Sequence, residues 1–232
     1  MLTDGLTIMD VLNGEQRIAL NFINSHDLYQ FVKDPLFRRA VSFRGNINMI
    51  DGFTISVYLS LKKFRVIRRF SGPDFTYSFF SENKFIGRKH LFIGFEKKDV
   101  DNLLTKFPSL LKKNIFYYNP PYIQEFLFPK EEITKITNLI NSEKIDFVWV
   151  GLGCPKQNFL TEDLFKKTKT KYFFNVGAGL DFLLGKKKRS PSLFRKLGLE
   201  WFYRLITDFR HSRKKVGRSW AALKSLYLVD IK

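Results

Sequence analysis

Three short segments combine small residues with polar ones at spacings that suit chemistry. In Gly151-Leu152-Gly153-Cys154-Pro155-Lys156-Gln157 an apolar run enters Gly-x-Gly and then a proline suited to the first turn of a helix. Glycines let a backbone approach a ligand closely, and a helix N-terminus offers N–H groups to a phosphate. Lys156 and Gln157 are expected to reach the same crevice. An ordinary tight strand-to-helix turn has the same pattern, and the third glycine of the dinucleotide fingerprint is missing. In Val176-Gly177-Ala178-Gly179-Leu180-Asp181 small residues again end an apolar run, and Asp181 is placed to accept hydrogen bonds from a ribose or a base. In Ile50-Asp51-Gly52 a carboxylate stands beside a glycine, where it could take a proton from a hydroxyl as a general base. For both aspartates a helix cap is the plainer alternative.

These segments need strands to hold them. Apolar, β-branched or aromatic runs cover Arg17–Asn24, Ile47–Gly52, Phe64–Gly72, His90–Gly94, Ile115–Tyr118, Phe147–Gly153 and Tyr172–Gly179. Stretches of helical length lie between most of them: Asp27–Val41, Phe53–Lys62, Pro73–Ser81, Lys97–Leu111, Glu131–Ser142 and Pro155–Lys167. Alternation of this kind predicts an α/β fold with a largely parallel sheet flanked by helices. Ligands of such folds sit outside the carboxyl ends of the strands, where Asn24, Asp51, Gly94, Gly153 and Gly177 fall.

The last part has another character. Basic residues crowd Lys186 to Arg218, against only Glu200 and Asp208. Leu193, Phe194, Leu197, Trp201, Leu205, Ile206 and Phe209 recur there at helical spacing. This predicts a basic amphipathic helical appendage over 191–232, behind a catalytic domain over 1–190. Trp and Tyr favour the membrane interface and Lys and Arg an anionic lipid surface.

The whole chain is basic, with a formal net charge of +18, which points to polyanionic partners. The lone cysteine, Cys154, excludes an internal disulfide and suits a reducing compartment. Met1 to Gln16 lacks the basic start and apolar run of a signal peptide, and no apolar stretch reaches the ~20 residues that span a bilayer. A cytoplasmic chain is the expectation. The histidines show no metal-ligand spacing with Cys154.

Taken in order, these segments resemble the WecG/TagA/CpsF family of glycosyltransferases from about Asn24 to Lys215. The resemblance rests on Asp51-Gly52, Arg69-x-x-Gly72-x-Asp74, the apolar strand ending at Gly94, Phe107-Pro108-x-Leu110, Gly151 to Gln157, Leu180-Asp181-Phe182, Gly185, Arg189-Ser190-Pro191 and Gly198-Leu-Glu-Trp-x-x-Arg-Leu205. It implies a Rossmann-like catalytic domain and a metal-independent, cofactor-free, inverting transferase. The donor would be a UDP-sugar, of N-acetylmannosamine type, its uronic acid or glucose, and the acceptor a sugar on a polyprenyl diphosphate, in cell-surface polysaccharide or teichoic acid synthesis. Asp51 is implied as the base. Asn24, Arg69, Gln157 and Asp181, with Gly94, Gly151, Gly153, Pro155 and Gly177, are implied around the UDP-sugar. Arg204, Arg210 and Arg213 are implied at a diphosphate, Arg204 also in catalysis, with the appendage docked on the inner face of the cytoplasmic membrane.

The chain departs from the family pattern in four places. Phe22 stands where a threonine is usual, Asn158 follows Gln157 in place of Glu, Ser190 replaces Ala, and the tail cations are shifted by one residue. A nucleic-acid-binding protein and a catalytically silent membrane scaffold are the competing readings. No nucleic-acid-binding signature supports the first, and Asp51, Arg69 and Gln157 together weigh against the second. No residue pattern sets an oligomeric state, so a homo-oligomer stays open.

Overall fold

The computed structural model of the chain describes residues 12, 16–82, 85, 87–187, 190, 191, 194 and 203. The expected architecture is present. Six parallel strands, β1 (Ile18–Ile23), β2 (Asn46–Ile50), β3 (His90–Ile93), β4 (Ile115–Tyr118), β5 (Phe147–Val150) and β6 (Tyr172–Asn175), form one sheet in the order β2-β1-β6-β5-β3-β4. The helices are α1 (Ser25–Lys33), α2 (Pro35–Ala40), α3 (Phe53–Lys63), α4 (Gly72–Ser81), α5 (Lys97–Lys106), α6 (Lys130–Glu143), α7 (Lys156–Lys167) and α8 (Gly179–Leu183).

The strands read as nearly continuous apolar runs because both sheet faces are covered. Side chains alternate between two cores. Leu20, Phe22, Phe92, Phe147, Trp149 and Phe174 meet Phe75 and Phe79 of α4, Leu103 of α5 and Leu180 and Leu183 of α8. Ala19, Leu91, Ile93, Val148, Val150 and Phe173 meet Ile133, Ile136 and Ile140 of α6 and Leu160 and Leu164 of α7. Of the phenylalanines packed against the sheet, the larger share lies on the first face. There Phe79 meets Trp149 at 4.8 Å between centroids and Phe75 meets Phe174 at 5.0 Å, both edge-on.

Three sequence expectations need correction. The helix expected over Asp27–Val41 is two helices, because Pro35 starts α2 and Asp34 caps it, accepting from the Leu36 N–H at 2.9 Å. The helix expected to reach Leu111 ends at Lys106, just before Phe107-Pro108. The strand expected over Phe64–Gly72 does not form. Its backbone is claimed by hydroxyls of α3: Ser56 Oγ donates to the Ile67 carbonyl, and the Ile67 N–H donates to Ser60 Oγ at 2.9 Å. Ile67 is thereby buried with Ile23, Ile50, Ile55 and Leu59. One ladder-like bond remains, from the Phe70 N–H to the Ile50 carbonyl at 2.7 Å.

Candidate active site

The order of the strands makes a crevice. From β5 the chain crosses toward β6 on one side, and from the adjacent β3 it crosses toward β4 on the other. Loops that diverge from neighbouring strands leave a gap at the carboxyl edge, where ligands of open α/β sheets bind. Gly94 and Gly151 stand at this switch point. Gly94 has φ +95°, and a methyl on its Cα would lie 3.2 Å from Leu152 Cδ2. A methyl on Gly151 would lie 2.9 Å from Leu180 Cδ1, so side chains are excluded from this floor.

The Gly151–Gln157 turn folds on itself. Gln157 is buried, its Oε1 accepts from the Gly153 N–H at 3.2 Å, and its Nε2 donates to the Asn175 carbonyl at 3.4 Å. Gly177, at φ +49°, keeps its Cα open to that carboxamide; a methyl there would sit 3.4 Å from Gln157 Oε1. The turn is thus closed by Gln157, and buried Pro155 precedes α7 directly. Lys156 does not enter the crevice as expected. Its ammonium donates to the Ile123 carbonyl and lies 4.9 Å from the Tyr122 ring centre, holding the loop between β4 and α6.

At the other side of the sheet, Asp51 stands one residue before the capping position of α3. Gly52 is the residue before α3, and that helix has no side-chain cap. The Asp51 carboxylate instead accepts from Arg69 Nε at 3.3 Å, with each side chain 21% exposed. The Phe70–Ile50 backbone bond is what brings Arg69 beside the end of β2. The pair is therefore oriented and still open to solvent.

Asn24 lies next door, its Cα 3.4 Å from where a Gly52 methyl would be. Its Oδ1 caps α1, accepting from the His26 N–H at 2.8 Å, while Asp27 Oδ2 accepts from the Asn24 N–H at 2.9 Å. Asp181 sits in the first turn of α8, and its Oδ2 accepts from Lys187 Nζ at 2.6 Å. Phe22, at the threonine position, points into the aromatic core, its ring 5.3 Å from that of Phe75. A methyl on Gly72 would stand 3.1 Å from Phe22 Cγ, so the larger residue is accommodated by that glycine.

Two reactive side chains serve the fold. Burial and the Asp27 carboxylate push the Cys154 thiol up, so it stays protonated. His90 is fully buried; its Nδ1 accepts from Trp149 Nε1 at 3.2 Å, which leaves Nε2–H to donate to the Phe85 carbonyl at 3.3 Å. Burial holds its pKa down to about 4. The sequence also contains an Asp-x-Asp triplet, Asp99-Val100-Asp101. It opens α5: Asp99 is buried, accepts from the Glu96 N–H at 3.0 Å and pairs with Lys186 Nζ at 2.6 Å.

Sequence reasoning missed a buried asparagine relay beneath the crevice. Thr161 donates to Asn175 Oδ1 at 2.6 Å, Asn175 to Asn21 Oδ1 at 2.6 Å, Asn21 to Asn48 Oδ1 at 2.9 Å, and Asn48 to the Val41 carbonyl at 2.8 Å. Asn158, the residue that departs from the family pattern, donates to Asn21 Oδ1 at 2.9 Å. Asn48, Asn21 and Asn175 are register partners across β2, β1 and β6. The signal was present as single asparagines inside apolar runs, but register is needed to see them as one row. The relay ties the helix that carries Gln157 to the strands that end at Asn24 and Asp51. Arg204, Arg210 and Arg213 lie outside the described residues, as does most of the 191–232 appendage. Among the described residues no helix is long and apolar enough to cross a membrane.

Over residues 6–229 the sequence matches the Glycosyl transferase WecG/TagA/CpsF family. Among curated proteins, the N-acetylglucosaminyldiphosphoundecaprenol N-acetyl-beta-D-mannosaminyltransferase of Staphylococcus aureus strain MRSA252 is 39% identical over 75 residues, 32% of this chain and 28% of that protein. The same-named protein of strain NCTC 8325 is 40% identical over 78 residues, again 32% and 28%. The chain thus matches these curated relatives over little more than a quarter of their length.

Proposed function

The chain belongs to the Glycosyl transferase WecG/TagA/CpsF family, and from that premise we propose that it moves a sugar from a UDP-sugar to a polyprenyl-diphosphate-linked sugar in cell-surface polymer synthesis. The staphylococcal relatives, by their name, act on N-acetylglucosaminyldiphosphoundecaprenol and transfer an N-acetylmannosaminyl group. An acceptor ending in N-acetylglucosamine and a donor of the N-acetylmannosamine type are therefore the first pair to try. The observation that carries the reading is the Asp51 carboxylate. It stands at a strand end one residue before the capping position of α3, pairs with Arg69 at 3.3 Å and is 21% exposed.

In the proposed step the acceptor hydroxyl attacks the anomeric carbon from the face opposite UDP. The new C–O bond forms as the bond to the β-phosphate oxygen breaks, the anomeric centre inverts, and the hydroxyl proton passes to Asp51. The Arg69 guanidinium orients Asp51 to receive it. Negative charge then grows on the leaving UDP and needs fixed donors. Arg69 and the N–H groups of the Gly151–Gln157 turn are the described candidates. To meet a phosphate, the Gly153 N–H would exchange its bond to Gln157 Oε1. Arg204, Arg210 and Arg213 would supply further cations from the 191–232 appendage, docked on the membrane.

The test is a panel of UDP-sugars with a short-chain prenyl-diphosphate N-acetylglucosamine, measuring UDP release and lipid product, with and without EDTA. Transfer that persists in EDTA is expected. Loss that Mn²⁺ or Mg²⁺ restores would overturn metal independence, and no product with any donor would overturn the transferase reading. A chain lacking 201–232 is expected to bind UDP and transfer poorly.

A further inference from the structure

Helix α3 is apolar on both sides. Inward, Ile55 and Leu59 are fully buried against Ile23, Leu28, Ile50 and Ile67. Outward, Phe53, Val57 and Leu61 follow one another at four-residue spacing and are 39%, 41% and 72% exposed. A helix with apolar residues all round belongs in a core or against lipid, and water is a poor environment for it. The chain leaves α3 through Phe64, 98% exposed, and Val66, 82% exposed. Phe64 also adopts the left-handed conformation, φ 51°, as the C-terminal cap of α3. Glycine is the ordinary residue there, and a bulky side chain is strained. Folding stability therefore does not explain an aromatic ring at this position.

The surroundings are basic. Lys62, Lys63 and Arg68 are exposed beside these residues, and no Asp or Glu occurs from Phe53 to Pro73. Charge narrows the choice of occupant. A second copy placed by a two-fold axis would set this basic patch against itself. The chain's own segment from Lys186 to Arg218 is as basic and would be repelled in the same way. A nucleic acid would satisfy the cations but leave Leu61 and Phe64 without an apolar partner. An anionic bilayer satisfies both, with cations at the headgroups and the apolar face at the acyl boundary.

We propose that the outer face of α3, with Phe64 and Val66, is a docking surface for an anionic phospholipid bilayer, separate from the C-terminal appendage. The proposal rests on the transferase reading for its purpose. Asp51 and Gly52 immediately precede Phe53, so docking α3 brings the end of β2 to the surface where a prenyl-diphosphate acceptor lies.

The experiment measures partition of the full-length chain onto phosphatidylglycerol and phosphatidylcholine vesicles. Combined Leu61→Ser and Phe64→Gly is expected to weaken binding to phosphatidylglycerol by about tenfold or more. Its thermal midpoint should not fall, since glycine relieves the cap. Combined Lys62→Gln, Lys63→Gln and Arg68→Gln, all at exposed positions, should weaken the same binding by about tenfold or more and flatten its salt dependence. Wild-type partition in both variants overturns the proposal. So does an apolar variant that turns a dimer into a monomer at unchanged partition, or one that loses only nucleic-acid binding. Partition is read without turnover. A chain that transfers no sugar yet loses vesicle binding in these variants would overturn the transferase reading and leave the surface standing.

Discussion

The turns after β1 and β2 occupy equivalent places on neighbouring strands and use their polar residues in opposite ways. After β1, Asn24 and Asp27 are committed to the backbone: one caps α1 and the other accepts from the Asn24 N–H. After β2, Gly52 takes the capping position without a side chain, and the carboxylate before it pairs with Arg69. A polar side chain at a strand end is available for chemistry to the extent that the next helix does not need it. That criterion, more than residue type, separates Asp51 from the other candidates.

The largest expected effect breaks the comparison at its open end. Asp51→Asn should cut turnover by ~100- to 10,000-fold, the usual cost of losing a general base. The asparagine amide oxygen can still accept from Arg69, so the thermal midpoint should move little. Turnover near that of the unaltered chain, by UDP release, would remove Asp51 from the chemistry.

Next comes the relay beneath both turns. Asn21→Leu leaves the Asn158 and Asn175 amides without their buried acceptor, while the Asn48 carbonyl keeps the Asn46 amide at 2.9 Å. Each such orphan costs ~1–3 kcal/mol, so a loss of at least ~2 kcal/mol is expected in urea unfolding. A loss below ~1 kcal/mol would mean that the row is not a unit.

Acid probes His90, another polar group wholly committed to the fold. Its folded pKa of about 4 lies below the ordinary 6.5, so the unfolded chain binds the extra proton between those values. This contribution is complete above about pH 6.5 and is lost as pH falls toward 4, by about 3 kcal/mol in all. His90→Gln, unable to titrate, should show a flatter decline over that window in pH-dependent denaturation.

The smallest effect sharpens the comparison at the committed end. Asn24→Ala should cost ~1 kcal/mol as a lost cap, and Asn24→Asp should recover it because the acceptor oxygen is kept. If the remaining Asn24 Nδ2 also meets the nucleotide, Asn24→Asp will still raise the KM for donor while stability is normal. A KM unchanged in both variants would confine Asn24 to the fold.

The fold class was legible because the strand runs are mostly apolar and stretches of helical length lie between them; the breaks at Pro35 and before Pro108 are present as signals, yet two of the helices read from the sequence run through them. The site was legible as a set of strand-end residues, since small and polar residues ending an apolar run are visible without coordinates. Their partners were not. Lys156 was expected in the crevice beside Gln157, but adjacent residues on a helix do not face the same way, and its ammonium reaches Ile123 instead. The asparagine relay and the pairing of Asp51 with Arg69 depend on which strands are neighbours and in what register.

Hydrophobic period and turn chemistry are local, so the sequence by itself determined the α/β alternation, the strand ends and the family. Capping is decided by which of several nearby groups reaches a free N–H first, and sheet order by long-range burial. Only the tertiary structure could therefore decide that Asn24 caps, that Asp51 meets Arg69, and that Phe64 and Leu61 are left facing outward.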